Sequence, residues 1–202
     1  LAWISVINEG NIGNNIGDLD DRPEEKALWE AAFARWKRKT GATGEWGGDA
    51  FRRFAWDAQD RAEREVISFL RDELGVRALL TSQNGWTDEL GTQLCRTAFD
   101  YVDNHFYWDH PSFENDDWSP PSRASGRSAI RERGGFARLG LTRLLDRPFT
   151  VSEFNFCPPN AHRAEGGPLY GAFAALQDWS VLWRFSHSHG DLSGTGRLGY
   201  FD

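Results

Sequence analysis

Two glutamates, Glu9 and Glu153, each stand where a short apolar run turns polar. Residues 2–8 read Ala-Trp-Ile-Ser-Val-Ile-Asn and lead into Glu9-Gly10, while Phe149-Thr150-Val151-Ser152 leads into Glu153-Phe154-Asn155. A carboxylate at the C-terminal tip of a buried strand is where a β/α barrel presents its reactive groups. Two such carboxylates on separate strands suit cleavage of a glycosidic bond. One protonates the leaving oxygen and the other attacks, or activates water.

The neighbours of this pair fit that chemistry. Asn8 precedes Glu9, and an amide there can hydrogen-bond a sugar hydroxyl, including the 2-OH whose interactions strengthen in the transition state. Glu9 would need burial or a nearby anion to hold its proton as an acid; Glu153 would need donors to stay ionised. His105 and Tyr107 are the expected donors. They sit two residues apart in His105-Phe106-Tyr107 at the end of a further apolar run, and positions i and i+2 share one side of a strand.

Five strands are expected, over residues 2–8, 76–82, 101–106, 149–153 and 180–185, with helical patterns between them. That alternation is the mark of a parallel α/β sheet. The clearest helix spans 57–74, with an apolar stripe through Ala58, Ala62, Val66, Phe69 and Leu70, charges on the opposite face and Gly75 as its stop. A second covers 24–38 through Ala27, Leu28, Ala31, Phe33 and Trp36, with Pro23 near its start. Shorter helices are expected at 88–99, 136–145 and 168–178. Two long intervals, near 11–56 and 108–135, follow strand ends and would lie over the reactive face as insertions.

Composition narrows the function classes. A net charge of −7 argues against a nucleic-acid partner and tolerates a neutral ligand. No apolar run approaches the roughly 18 residues that a membrane span needs. Cys95 and Cys157 are too few for a disulfide framework or a zinc site and read as buried thiols; no cofactor is expected. Ten tryptophans and fourteen phenylalanines are many for 202 residues. Such rings fill cores and also stack on sugar faces; Trp46, Trp86 and Trp118, in polar stretches, are the better binding candidates, whereas Trp29 and Trp36 fall at helical spacing. His187-x-His189 with Asp191 is a weak metal pattern, since only His162 could join it.

With Asn8-Glu9, His105-Phe106-Tyr107, Val151-Ser152-Glu153 and a final Trp179-Ser180-Val181-Leu182-Trp183 run, the chain resembles the second half of a clan A glycoside hydrolase. In that group the acid and the nucleophile follow the fourth and seventh barrel strands. Phe33-Ala34-Arg35-Trp36 through Thr40-Gly41 and Trp46-Gly47, and the run Thr81-Ser82-Gln83-Asn84-Gly85, resemble family 42 β-galactosidases. The His-x-Tyr step is more similar to family 5 cellulases and mannanases.

The resemblance implies a (β/α)8 TIM barrel, of which residues 1–202 cover about strands 4 to 8, and a retaining mechanism on β-glycosides. It implies Glu9 as acid/base, Glu153 as nucleophile, Asn8 as ligand of the 2-OH, Tyr107 as the residue that holds the nucleophile, and His105 as a lining residue. Asn84 and Trp86 join them as candidate substrate-binding residues. Trp183 would be the sugar platform, with Phe185 or His187 as the other occupants that the last strand's register permits. The absence of methionine and the apolar start suggest an excised piece whose partner is the upstream half of the same barrel, and which is expected to be inactive or unstable alone. The competing expectations are a non-catalytic carbohydrate-binding or degenerate barrel, and a related barrel acting on something other than a glycoside. Sugar, linkage and cellular location stay open.

Overall fold

A computed structural model of the protein describes residues 2–85, 90–115, 121–132 and 136–186. The chain divides into two compact units, Leu1–Asp100 and Tyr101–Asp202.

In the first unit, β1 (Trp3–Ser5) pairs in parallel with β2 (Leu79–Thr81), Ile4 standing opposite Leu80. The ladder continues past β1, because the Val6 N–H donates to the Thr81 carbonyl at 2.8 Å. Between the strands lie α1 (Ile12–Asn15), α2 (Pro23–Thr40) and α3 (Asp49–Ser68); α4 (Leu90–Cys95) follows β2. The α2 helix matches expectation at its start and runs two residues past position 38. Pro23 takes the first turn, where its missing N–H costs nothing, and Gly41 closes the helix at φ +72°, a left-handed conformation that favours glycine.

The α3 helix differs from its expected form. It starts eight residues before position 57 and is followed by a wider turn, Phe69–Glu73, closed by the Leu74 N–H on the Phe69 carbonyl at 3.1 Å. Its buried face runs through Phe51, Phe54, Ala55, Gln59 and Glu63, not through the Ala58–Ala62–Val66–Phe69 stripe. Phe69 is 46% exposed. The aromatic pair in the added turns decides this rotation. Phe54 meets Phe33 at 5.4 Å, Trp29 at 5.7 Å, Phe51 at 5.9 Å and Trp36 at 6.0 Å between ring centroids. Burying one such ring is worth roughly 1.5–3 kcal/mol, and the rings of α2 lie against Phe51 and Phe54, whereas Val66 and Phe69 stay exposed. Trp46 is half-buried against the cluster, 4.1 Å from Phe51 between ring centroids. On α2 the same cluster uses Trp29, Phe33 and Trp36 and leaves Leu28, expected on the apolar face, at the surface.

In the second unit, β3 (Val102–Trp108), β6 (Phe149–Phe156) and β7 (Val181–Arg184) form a parallel sheet in the order β3-β6-β7. The 108–135 interval contains a small antiparallel pair, β4 (Ser112–Phe113) with β5 (Ser122–Arg123), and then α5 (Ala129–Glu132). Next come α6 (Phe136–Leu141), shorter than expected, and α7 (Gly166–Leu176) after β6. The β6 strand runs three residues beyond Glu153, so Glu153 lies inside the strand rather than at its tip.

One irregularity in this sheet sets the positions of the polar side chains around Glu153. Asn104 pairs with Val151 and His105 with Glu153, so Ser152 is an extra residue on β6. The register to β7 shifts over the same stretch. Such a bulge re-aims neighbouring side chains.

The core of this unit lies between the sheet and α7. Tyr170 stacks on Phe106 at 5.2 Å and on Phe154 at 5.6 Å and is fully buried. Burial pushes its phenol pKa up, and among the described residues its hydroxyl has no hydrogen-bond partner. Cys95 and Cys157 are free and buried, as expected, and burial pushes both thiols up to about 12. Among the described residues no helix is long and apolar enough to cross a membrane.

A buried hydroxyl without a partner costs about 1–3 kcal/mol. Tyr170→Phe is therefore expected to leave the fold intact and raise stability by about 1 kcal/mol, read from urea denaturation midpoints.

Candidate active site

In the first unit the residues after β1 and β2 hold one another. Glu9 takes a left-handed φ of +53°, uncommon for a residue with a side chain, so its neighbours must enforce it. They do so in two ways. The Glu9 N–H donates to Asn84 Oδ1 at 2.6 Å. Gly85 then presses against the residue: a Cβ added there would lie 2.8 Å from the Glu9 Cβ and 2.9 Å from its Cα. Only glycine permits that approach.

Asn84 is buried, and its Nδ2 faces Ser5 Oγ at 3.4 Å. It thus acts on Glu9 through the backbone. Asn8 is exposed and Glu9 half-buried. Trp86 lies outside the described residues, as do Trp118, His187, His189 and Asp191.

Behind these residues sits a network that the sequence pattern concealed. Ile12 N–H donates to Gln59 Oε1 at 2.8 Å, and Gln59 Nε2 donates to Glu63 Oε1 at 2.8 Å. Gln83, itself at φ +59°, donates from Nε2 to both Glu63 oxygens at 2.8 and 2.7 Å. Helix α3 is thereby tied to the chain following both strands. Burial raises the Glu63 pKa, and its amide donors offset that only in part. On helical spacing Glu63 reads as one charge among many on a solvated face; the amides at positions 59 and 83 were the available signal.

In the second unit, the bulge at Ser152 gathers six polar side chains. Tyr107 donates its O–H to Glu153 Oε2 at 2.6 Å. His105 Nδ1 lies 3.4 Å from the same oxygen, with side-chain exposures of 4% for the histidine and 21% for the glutamate. His105 Nε2 faces Ser152 Oγ at 3.0 Å. Ser152 in turn bonds the buried Asp103, Oγ to Oδ2 at 2.5 Å and N–H to Oδ1 at 3.0 Å, while Thr150 donates its hydroxyl to Oδ1 at 2.6 Å. The structure thus brings His105, Tyr107 and Glu153 together, and adds Asp103 and Ser152, which sequence reasoning missed. Regular alternation would place residues 152 and 153 on opposite faces; the extra residue lets both reach His105.

On β7, Trp183 is 44% exposed, opposite in the strand's alternation to Leu182, which packs on the core. Phe185 lies edge-on to Tyr107, 6.5 Å between ring centroids. Asp109, following β3 at φ +57°, braces the chain above the sheet. Its carboxylate accepts from the Ser125 and Gly126 N–H groups at 2.9 and 2.8 Å and from Asn160 Nδ2 at 2.6 Å. Burial by itself would raise its pKa, but these hydrogen bonds together outweigh burial and hold it below the ordinary carboxylate value.

A carboxylate of limited exposure that receives an O–H and faces an imidazole can attack an electrophilic carbon. A second carboxylate in a fixed backbone conformation can exchange a proton.

Gly85→Ala is expected to push Glu9 out of its backbone conformation, since the added Cβ would lie 2.8 Å from the Glu9 Cβ. A crystal structure of the variant would show Glu9 displaced. The Glu63 carboxyl, with its folded pKa above the unfolded one, binds its proton more tightly in the native state. Stability from this group is therefore full below about pH 4.3, and is lost as pH rises from there through the folded value. Thermal melts across pH should show that decline, and Glu63→Gln should remove this component of the slope.

No protein-family model matches the chain, and neither a curated protein nor a solved structure matches it.

Proposed function

We propose that the chain is the catalytic part of a retaining glycoside hydrolase, acting on β-glycosidic bonds of oligo- or polysaccharides, built as strands 4 to 8 of a (β/α)8 barrel. The observation that carries this reading is the Glu153 carboxylate on β6, partly open to solvent, with Tyr107 donating to it at 2.6 Å and His105 beside it. In the reaction, Glu153 attacks the anomeric carbon as the bond to the leaving oxygen breaks, and Glu9 gives that oxygen its proton. The glycosyl–Glu153 ester is then hydrolysed by a water whose proton returns to Glu9, restoring both groups. Asn8 would bind the 2-OH, and the exposed Trp183 would stack under the sugar before the scissile bond. The rigid backbone of Glu9, fixed by Asn84 and Gly85, supports an acid/base role, because proton transfer demands a group held within hydrogen-bond reach.

A panel of aryl β-glycosides, offered to the full-length protein, tests the reading. Glu153→Gln should lower turnover of the cleaved substrate by roughly 10⁴-fold or more while oligosaccharide affinity persists. A slow 2-deoxy-2-fluoro glycoside should add its sugar to the peptide containing Glu153, seen by mass spectrometry. Binding of oligosaccharides with no cleavage of any panel member, unaltered by Glu153→Gln, would instead favour a non-catalytic carbohydrate-binding barrel.

A further inference from the structure

We infer that the cavity enclosed by the end of β6, the start of α7 and Arg184 on β7 is a site for a phosphate group. It lies wholly within the second unit and stands on that unit's geometry, not on the glycosidase reading.

The cavity measures about 340 Å³ and is lined by Phe154, Asn155 and Phe156 from β6, by Arg163 and the residues that open α7, and by Arg184. Two arginines thus line one space, and no acidic residue lines it with them. Elsewhere in the chain arginines meet carboxylates: Arg64 lies 2.8 Å from Asp60, Arg71 2.5 Å from Asp100 and Arg127 2.9 Å from Glu132. Arg184 has no carboxylate partner among the described residues, and its Nε is turned to Asn155 Oδ1 at 3.4 Å. Glu165, two residues from Arg163, is committed elsewhere. It accepts the Ser128 O–H at 2.7 Å and the Ile130 N–H at 3.2 Å, with His162 Nδ1 at 3.3 Å.

Local structure puts both arginines there. Leu182 packs on the core, and Arg184, two residues on, shares its face of β7. Buried Asn155 directs Arg184 through Oδ1 while its Nδ2 donates to the Phe185 carbonyl at 2.9 Å. Arg163 stands on the single turn Arg163–Glu165 and donates from Nε to the Phe156 carbonyl at 3.2 Å, which ties that turn to the end of β6. Gly166 closes the wall: a Cβ there would lie 2.6 Å from the Phe156 ring, so only glycine lets α7 begin this close to the strand. The first turn of α7 carries no acidic residue, so the positive end of the helix adds to the arginines.

Two like charges lining one cavity repel each other and any metal cation, whereas a dianion between them is attracted to both. A phosphate presents oxygens in several directions, and guanidinium groups bind such oxygens in pairs. The volume falls within the range of small-molecule sites, roughly 300–1,000 Å³. It admits inorganic phosphate or the phosphate of a sugar ester.

The test is isothermal titration calorimetry of the full chain with inorganic phosphate, glucose 6-phosphate and glucose. Both phosphate probes should bind, with affinity that falls as salt is added. Arg184→Gln should weaken both by about 10-fold or more, the loss expected for one hydrogen bond to a charged group. Arg184→Lys keeps the charge but not the fork and should fall between the two. Arg184 is exposed, so neither variant disturbs the core. Equal affinity for the two phosphate probes assigns the site to free phosphate; glucose 6-phosphate binding about 10-fold tighter than both other probes assigns it to a phosphorylated sugar. Failure of both phosphate probes to bind, or the same affinity in Arg184→Gln as in the wild type, overturns the inference even where glycosides are cleaved. Binding through Arg184 with no glycoside cleaved leaves the phosphate site standing while the glycosidase reading falls.

Discussion

The parallel pairing of Val102–Trp108 with Phe149–Phe156, carrying one residue too many at Ser152, is the constraint on which the second unit's polar chemistry depends. Without the extra residue, strict alternation would turn Ser152 away from the face that carries Glu153. With it, a continuous line runs from Asp103 through Ser152 and His105 to Glu153 and Tyr107. The line is buried at its Asp103 end and partly solvated at its Glu153 end. Hydrogen bonds in such surroundings are electrostatically stronger than in water, and each group left without a partner would be costly. That combination fixes one arrangement of side chains rather than several.

The first unit reaches rigidity by a different route. There the backbone itself is strained, with Glu9 and Gln83 both at positive φ, and the strain is held by amides and a glycine contact. Glu63 receives the amides of Gln59 and Gln83 although burial works against its charge. A buried carboxylate that accepts several amide hydrogens is a poor source of stability, but it specifies where Gln59 and Gln83 must lie. Through Gln59 it also sets the backbone at Ile12. The stability of this unit comes instead from the aromatic contacts of Phe33, Phe51 and Phe54 with Trp29, Trp36 and Trp46.

Much of the element order was legible. Helix α2, with Pro23 and Gly41 at its ends, follows from local backbone preferences and needs no tertiary information. Strand positions were legible because apolar runs punctuated by turn residues have few other solutions. His105 and Tyr107 reaching one side of β3 followed from the two-residue period, and Glu153 is where they meet. The face of α3 was misread because Val66 and Phe69 look as apolar as Phe51 and Phe54. Only the presence of α2 decides which pair is covered. That Trp46 packs on Phe51 was not legible, because a ring in a Gly-rich stretch carries no mark of the helix it will meet.

Sequence by itself determined the chemistry available: two glutamates after apolar runs, an Asn8 next to one of them, and a His-x-Tyr step two residues wide. It determined these because side-chain type and strand period are local properties. The tertiary structure alone decided that Ser152 is an extra residue in its ladder, that Asp103 lies beneath it, that Asn84 and Gly85 grip Glu9, and that Glu63 is buried. Each of these joins residues far apart in the chain. Register and burial are set by the free energy of the whole packed unit, and no window of sequence contains it.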